Sequence, residues 1–435
     1  MSKPVLVLSS PIATRSGYGE HARDIFASLL KMDKFDIKLL SQRWGNCPMN
    51  CLSADNPLHR EMINRMVPPQ FSKQPDVWIQ LTVPNEFQAV GKYNIGITAG
   101  VETTLCAPEL LEGMNKMNLV IVPSNFSKSV FEQTTYEKKE EGTGRVLGNL
   151  KCTVPIEVIF EGIDTSVYKK IDSVPTSIRK AINDMVKEDF CFLSVGHWLN
   201  GSLGEDRKNI GLMIQLFLET FKNEPNPPAL LLKTSGATFS IMDKNDILNK
   251  IEQIKATVQS DKPLPSIYLI HGDLSPEEMN GLYNHNKVKA HVSFTKGEGF
   301  GRPLLEASVS EKPIIASNWS GQMDFLNKEF TILIGGTLTN VHPSAQNQFL
   351  IKDSQWFSVD PNNASHSMMH VFKNRKMITG AAIKQALYAK QNFSLDKMNE
   401  KVAEVMNKYV PEFPEEVKIQ LPKLKKIELP KLKKI

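Results

Sequence analysis

AHVSFTKGEGFGRPLLEA, Ala290 to Ala307, runs from an apolar stretch through a turn with glycines at 297, 299 and 301 into a helical pattern that opens near Pro303. AHVSFT reads as a strand, KGEGFG as a turn and RPLLEA as a helix start. A glycine-rich turn between a strand and a helix usually holds an anion at the carboxyl edge of a parallel sheet. Here two acids flank it, Glu298 in the loop and Glu306 in the expected first helical turn. Carboxylates repel phosphate but accept hydrogen bonds from hydroxyls. The amides of Gly299, Phe300 and Gly301 are therefore expected to hold a diphosphate, and the acids to hold the hydroxyls on either side of it. That ligand is a nucleotide sugar.

The same strand, turn and helix grammar extends outward. VLVLSS (5–10), FDIKLLS (35–41), VWIQLTV (77–83), NIGITAG (94–100), LVIVPS (119–124) and IEVIF (156–160) are short apolar runs that read as buried parallel strands. A polar stretch, 164–189, precedes a second series: FCFLSVG (190–196), ALLLKTSG (229–236), SIYLIHG (266–272), AHVSFT (290–295) and PIIAS (313–317). Ile210, Ile214, Phe217 and Phe221 share one face of a helix after the first of these. Two doubly wound α/β domains are expected, at 1–170 and 186–385, with helices at 386–410 and a Pro/Lys/Leu repeat at 411–435. A chain of 435 residues, 41% hydrophobic, suits two cores.

The net charge of +5 does not mark a nucleic-acid binder, because residues 418–435 hold seven lysines and one glutamate, leaving about −1 for the rest. That repeat, IQLPKLKKIELPKLKKI, is expected to be a solvated tail or a contact for an anionic membrane surface. Five cysteines without CxxC spacing indicate neither a disulfide framework nor a zinc site. No secretory or membrane-spanning signal is present, so a cytoplasmic protein is expected. GYGEHA, with Gly17 and Gly19, matches GxGxxA, but PIATRS separates it from its strand and a dinucleotide turn would be tighter.

EGFGRPLLEASVSEKPIIAS resembles the E-x7-E segment of retaining GT-B glycosyltransferases, family 4. SVGHWLNGSLGEDRKNIGLMIQLF, HGDLSPEEMNGLYNHNKVKAHVSFT, VPSNFSKSVF and VIFEGIDTSVY are similar to further landmarks of that family, so the resemblance spans most of residues 10–410. It implies a GT-B fold of two Rossmann-like domains facing a cleft, with the last helices crossing back to the N-terminal domain. It implies that Glu298 lies against the donor sugar, that Glu306 binds the ribose, and that Lys208 and Arg207 bind the phosphates. Gly17 to Gly19 would face the diphosphate. The implied reaction moves a sugar from a nucleotide sugar to a carbohydrate or other hydroxyl acceptor. No DxD sequence is available to hold a metal, and none is expected as cofactor.

Three positions depart from the family pattern. Gly196-His197 stands where Gly-Arg is common, Glu102 replaces a histidine expected at the sugar, and Arg302 replaces leucine. Glu102 is expected to position donor sugar or acceptor. Arg302 either reaches phosphate or lies on the surface. His197, His271 and His291 are expected to be structural. The alternatives to a transferase are a GT-B hydrolase or epimerase of the nucleotide sugar, and a non-catalytic sugar or nucleotide binder.

Overall fold

Parallel strands buried on both faces need helices above and below them, and the sequence supplies these in alternation. The computed structural model describes residues 3–414, apart from 72, 141 and 237. The first sheet has six parallel strands in the order Asp36–Ser41, Val5–Ser10, Val77–Leu81, Tyr93–Ile97, Leu119–Val122, Ile156–Val158. The second has six in the order Ile267–Ile270, Ala229–Lys233, Cys191–Val195, Val288–Ser293, Ile314–Ser317, Ile332–Ile334. The fold is thus the expected pair of doubly wound α/β domains. In each sheet the order reverses beside its first strand, and such a switch point opens a crevice at the carboxyl ends of the strands. The helix Ile210–Phe221 presents Ile210, Ile214, Phe217 and Phe221 to the second core, all buried.

The polar stretch around 164–189 is more ordered than its composition suggests. Thr176–Met185 is a helix whose Ile178 and Ile182 join the second domain's core together with Val186. The i, i+4 pair was present in the sequence, but charged neighbours obscured it. Two antiparallel hairpins, Tyr136–Lys139 with Val146–Leu150 and Gly336–Asn340 with Gln355–Val359, were not anticipated either. Neither has the continuous apolar run of a core strand.

Helix was expected from 386. It starts earlier, at Pro361, where Asp360 caps the amide of Asn363, and it runs to Asn392 with a non-helical residue at Asn374. The next helix, Leu395–Tyr409, places Met398, Val402, Val405 and Met406 in the first domain's core. Ser28 Oγ meets Asn399 Oδ1 at 2.5 Å and Lys31 meets Asp396 at 3.1 Å. The chain therefore crosses back to the domain where it began. The expected lysine-rich contact at 418–435 lies outside the described residues.

Candidate active site

Glycine at 297 and 299 serves the domain contact directly. A Cβ on Gly299 would lie 1.8 Å from the Ala99 carbonyl oxygen, and one on Gly297 would lie 1.9 Å from that of Glu102. Without side chains the turn of the second domain packs on the backbone of the first, and Ser124 Oγ donates to the Gly299 carbonyl at 2.6 Å. Gly301 adopts φ 100°, a left-handed conformation that lets the helix begin at Arg302. Pro303 is thus the second helical residue, and Glu306 falls in the second turn instead of the first. Glu298 is pinned through its backbone: its N–H donates to Ser320 Oγ and its carbonyl accepts from Gly321, both at 2.9 Å.

A cavity of about 400 Å³ lies between the carboxyl ends of the two sheets. That volume suits a small organic ligand. The first domain contributes Gly17, Glu20 and Glu161, and the second contributes His197, Lys208 and Glu306, among others. At the turn the wall is made by Arg302 and Pro303, while Gly299 and Phe300 stand behind it. Phe300 is buried, its ring 5.0 Å from Phe325. Gly19 is also behind the wall, beneath Thr14, and its amide donates to the capping Ser16 Oγ at 3.0 Å.

Lys208 Nζ donates to Glu298 Oε1 at 2.5 Å. Arg207 lies deeper, its Nη1 donating to the Gly297 carbonyl at 2.7 Å and standing 3.4 Å from Glu298 Oε2, with Nη2 3.6 Å from Glu102. Two cations and two carboxylates, Glu102 among them, thus form one group across the domain boundary. Burial alone would raise the Glu298 carboxyl, but Lys208 and Arg207 outweigh it and hold Glu298 below its ordinary value. Burial lowers Lys208, with Glu298 pulling the other way.

Glu306 accepts from Tyr283 Oη at 3.1 Å and from Arg302 Nε at 3.2 Å. Arg302 is not on the surface. Its side chain is 10% exposed, Nη1 donating to Asp24 at 2.6 Å and Nη2 standing 3.1 Å from Glu20. Burial, then the nearby Glu20 charge, raise Glu306 to about 7 despite Arg302. Glu161 is also pushed up to about 7, first by burial. It was missed in the sequence, where a single acid in VIFEGI gives no sign of burial.

The three histidines are held by neighbours: His271 by Asp243 at 2.8 Å, His291 by Ser310 at 3.1 Å and His197 by Ser235 at 3.0 Å. His197 nonetheless lines the cavity, and burial with the Lys208 and Lys233 charges lowers its pKa. Lys233, at the end of its strand, donates to the Gly272 carbonyl at 2.7 Å and also lines the cavity. Cations beside acids suit a ligand that is part anion and part polyol. Among the described residues, no group of three or more His, Cys, Asp and Glu is placed to hold a metal ion. Nor is any described helix long and apolar enough to cross a membrane.

The family described as Glycosyl transferases group 1 matches residues 255–347, which include Glu298, Arg302 and Glu306. Over these residues the chain is similar to that family. Around it, the fold matches solved GT-B structures over nearly their full length. A glycosyltransferase from Rickettsia africae has a TM-score of 0.60 at 14% identity, covering 94% of this chain and 99% of that one. Sucrose-phosphate synthase from Thermosynechococcus elongatus has 0.58 at 10% identity, covering 93% and 99%. HepE of Anabaena, solved in complex with UDP and glucose, has 0.55 at 14% identity, covering 93% and 100%. At such identities the likeness concerns the fold. No curated protein sequence matches the chain. The group 1 segment supplies the strand, the glycine turn and both glutamates, and Arg207 and Lys208 reach it from outside.

Proposed function

We propose that the protein is a retaining, metal-independent glycosyltransferase that moves a sugar from a nucleotide sugar to an acceptor hydroxyl. The observation that carries this reading is Lys208, which lines an interdomain cavity whose wall also holds Glu306 and donates to Glu298 just behind that wall. Glu306 accepts the ribose hydroxyls and Glu298 those of the donor sugar. Lys208, with Arg207 behind it, offsets the charge that develops on the departing diphosphate, the role a divalent metal fills elsewhere. Glu102, tied to Arg207, helps to place the sugar or the acceptor. Substitution on the same face of the sugar lets the leaving phosphate take the acceptor proton, without a protein nucleophile. Ligand in the cleft excludes water from the reacting centre.

HepE is the GT-B relative solved with UDP and glucose, and a donor of that class fits the mixed lining of this cavity. Thermal-shift measurements with UDP, GDP and ADP sugars test the reading: the true donor at about 100 times its Kd adds roughly 2.7 kcal/mol to stability. Turnover with acceptor should survive EDTA and yield the donor's own anomeric configuration. Free sugar released equally without acceptor would establish a hydrolase instead. Donor binding without any turnover would establish a binder.

A further inference from the structure

Arg302 uses all three edges of its guanidinium in three directions. Nε serves Glu306 on its own helix at 3.2 Å, while Nη1 and Nη2 cross the cleft to Asp24 and Glu20 on the helix Gly17–Met32. The Arg302 side chain is 10% exposed, Asp24 16% and Glu306 9%, so the three are largely withdrawn from water. Glu161, from the first domain, adds to the negative field on the same guanidinium. Opening the cleft would separate Arg302 from both carboxylates of the facing helix while leaving Glu306 attached. A planar fork can serve three acceptors at fixed angles, which a single ammonium cannot.

We infer that Arg302 is a positioning residue that couples the acid on the donor side, Glu306, to closure of the first domain over the cavity. This rests on the proposed reading in which Glu306 receives the ribose. A nucleotide whose hydroxyls donate to Glu306 binds best when that carboxylate is aimed by Arg302 Nε, and Arg302 is itself held by the closed domain. Because such coupling is reciprocal, closure strengthens nucleotide binding by the same factor by which nucleotide favours closure, so loosening the closed form weakens binding. Asp24 does not itself line the cavity, and its carboxylate reaches the donor side through its bond to Arg302.

Small-angle scattering of the full chain with and without UDP or GDP, combined with calorimetry and steady-state kinetics, tests this. Asp24→Asn should enlarge the ligand-free radius of gyration. It should also raise the nucleotide Kd about fivefold or more and lower kcat further than it changes the donor KM. Arg302→Gln should weaken nucleotide binding more than Asp24→Asn does, because it also frees Glu306. Arg302→Lys should resemble Arg302→Gln, and Asp24→Glu should recover part of the Asp24→Asn loss. Asp24→Asn with wild-type scattering and kinetics, or a fully active Arg302→Lys, would overturn the coupling. If Arg302→Gln fails to fold, Asp24→Asn carries the test alone. If the wild type binds no nucleotide, the transferase reading fails; the ligand-free scattering of Asp24→Asn still decides whether Arg302 holds the domains together.

Discussion

Two charged groups each span the cleft, and under the same burial their acids shift in opposite directions. Around Glu298, two cations meet two carboxylates, and Glu298 is held below its ordinary pKa. Around Arg302, one cation meets Glu20, Asp24 and Glu306 directly, with Glu161 in its field, and both Glu161 and Glu306 rise to about 7. Both groups are buried in the same boundary. The local balance of charge, more than burial, decides which acid stays ionised.

The largest break in this comparison should come from removing Lys208. Lys208→Ala is expected to lower kcat about 10²- to 10³-fold, the range for losing one group that stabilises developing charge. Unchanged kinetics would remove Lys208 from the site. Glu298→Gln should also depress turnover while donor binding, followed by calorimetry, persists; wild-type turnover would overturn its role at the sugar.

Next in size is Glu161→Gln, which tests the negative group. The folded-state pKa of Glu161, about 7, is above its unfolded value, so its contribution to stability is fully present below about 4.5 and is lost as pH rises through 7. Glutamine mimics the protonated acid. The substitution should therefore stabilise by about 3 kcal/mol at pH 8 and by almost nothing at pH 4.5. Denaturant unfolding at the two pH values measures this; equal effects at both would show that Glu161 carries no shifted proton.

Glu306 extends the same argument to binding. With its pKa raised to about 7, it gains a full negative charge only above that pH. Affinity for the nucleotide donor, measured from pH 5.5 to 8.5, should rise through about 7, and in Glu306→Gln the step should vanish. Smaller again is Tyr283→Phe, which removes one hydrogen bond to Glu306 and should cost about 1 kcal/mol in donor binding, roughly fivefold in Kd. Smallest is Arg15→Ala: its bridge to Asp273 joins two side chains that are each about two-fifths exposed, so less than about 1 kcal/mol of stability should be lost.

Reading the chain in order found the eleven expected core strands because each is an apolar run of a few residues closed by a turn residue, a pattern that needs no partner to be seen. It missed Ile332–Ile334, three residues long, and the hairpins, whose pairing depends on distant neighbours. The family resemblance put Lys208, Arg207 and Glu298 in one site, and they do meet. Reading the turn gave the amides of Gly299, Phe300 and Gly301 to a phosphate and did not foresee that glycine at 297 and 299 is also required by the backbone of the other domain. A glycine pattern records that something approaches closely, without recording what.

Local order alone determined the two alternating α/β series, the turn that carries Glu298 and the helix that carries Glu306, because hydrophobic period and backbone preference act over a few residues. Tertiary structure decided the charges. Arg302 and Asp24 are 278 residues apart and Arg15 and Asp273 are 258 apart, and each pair spans the cleft. Whether an acid is paired, buried or left holding a proton depends on which surfaces the two domains bring together. A sequence window too short to contain both domains carries no trace of that field.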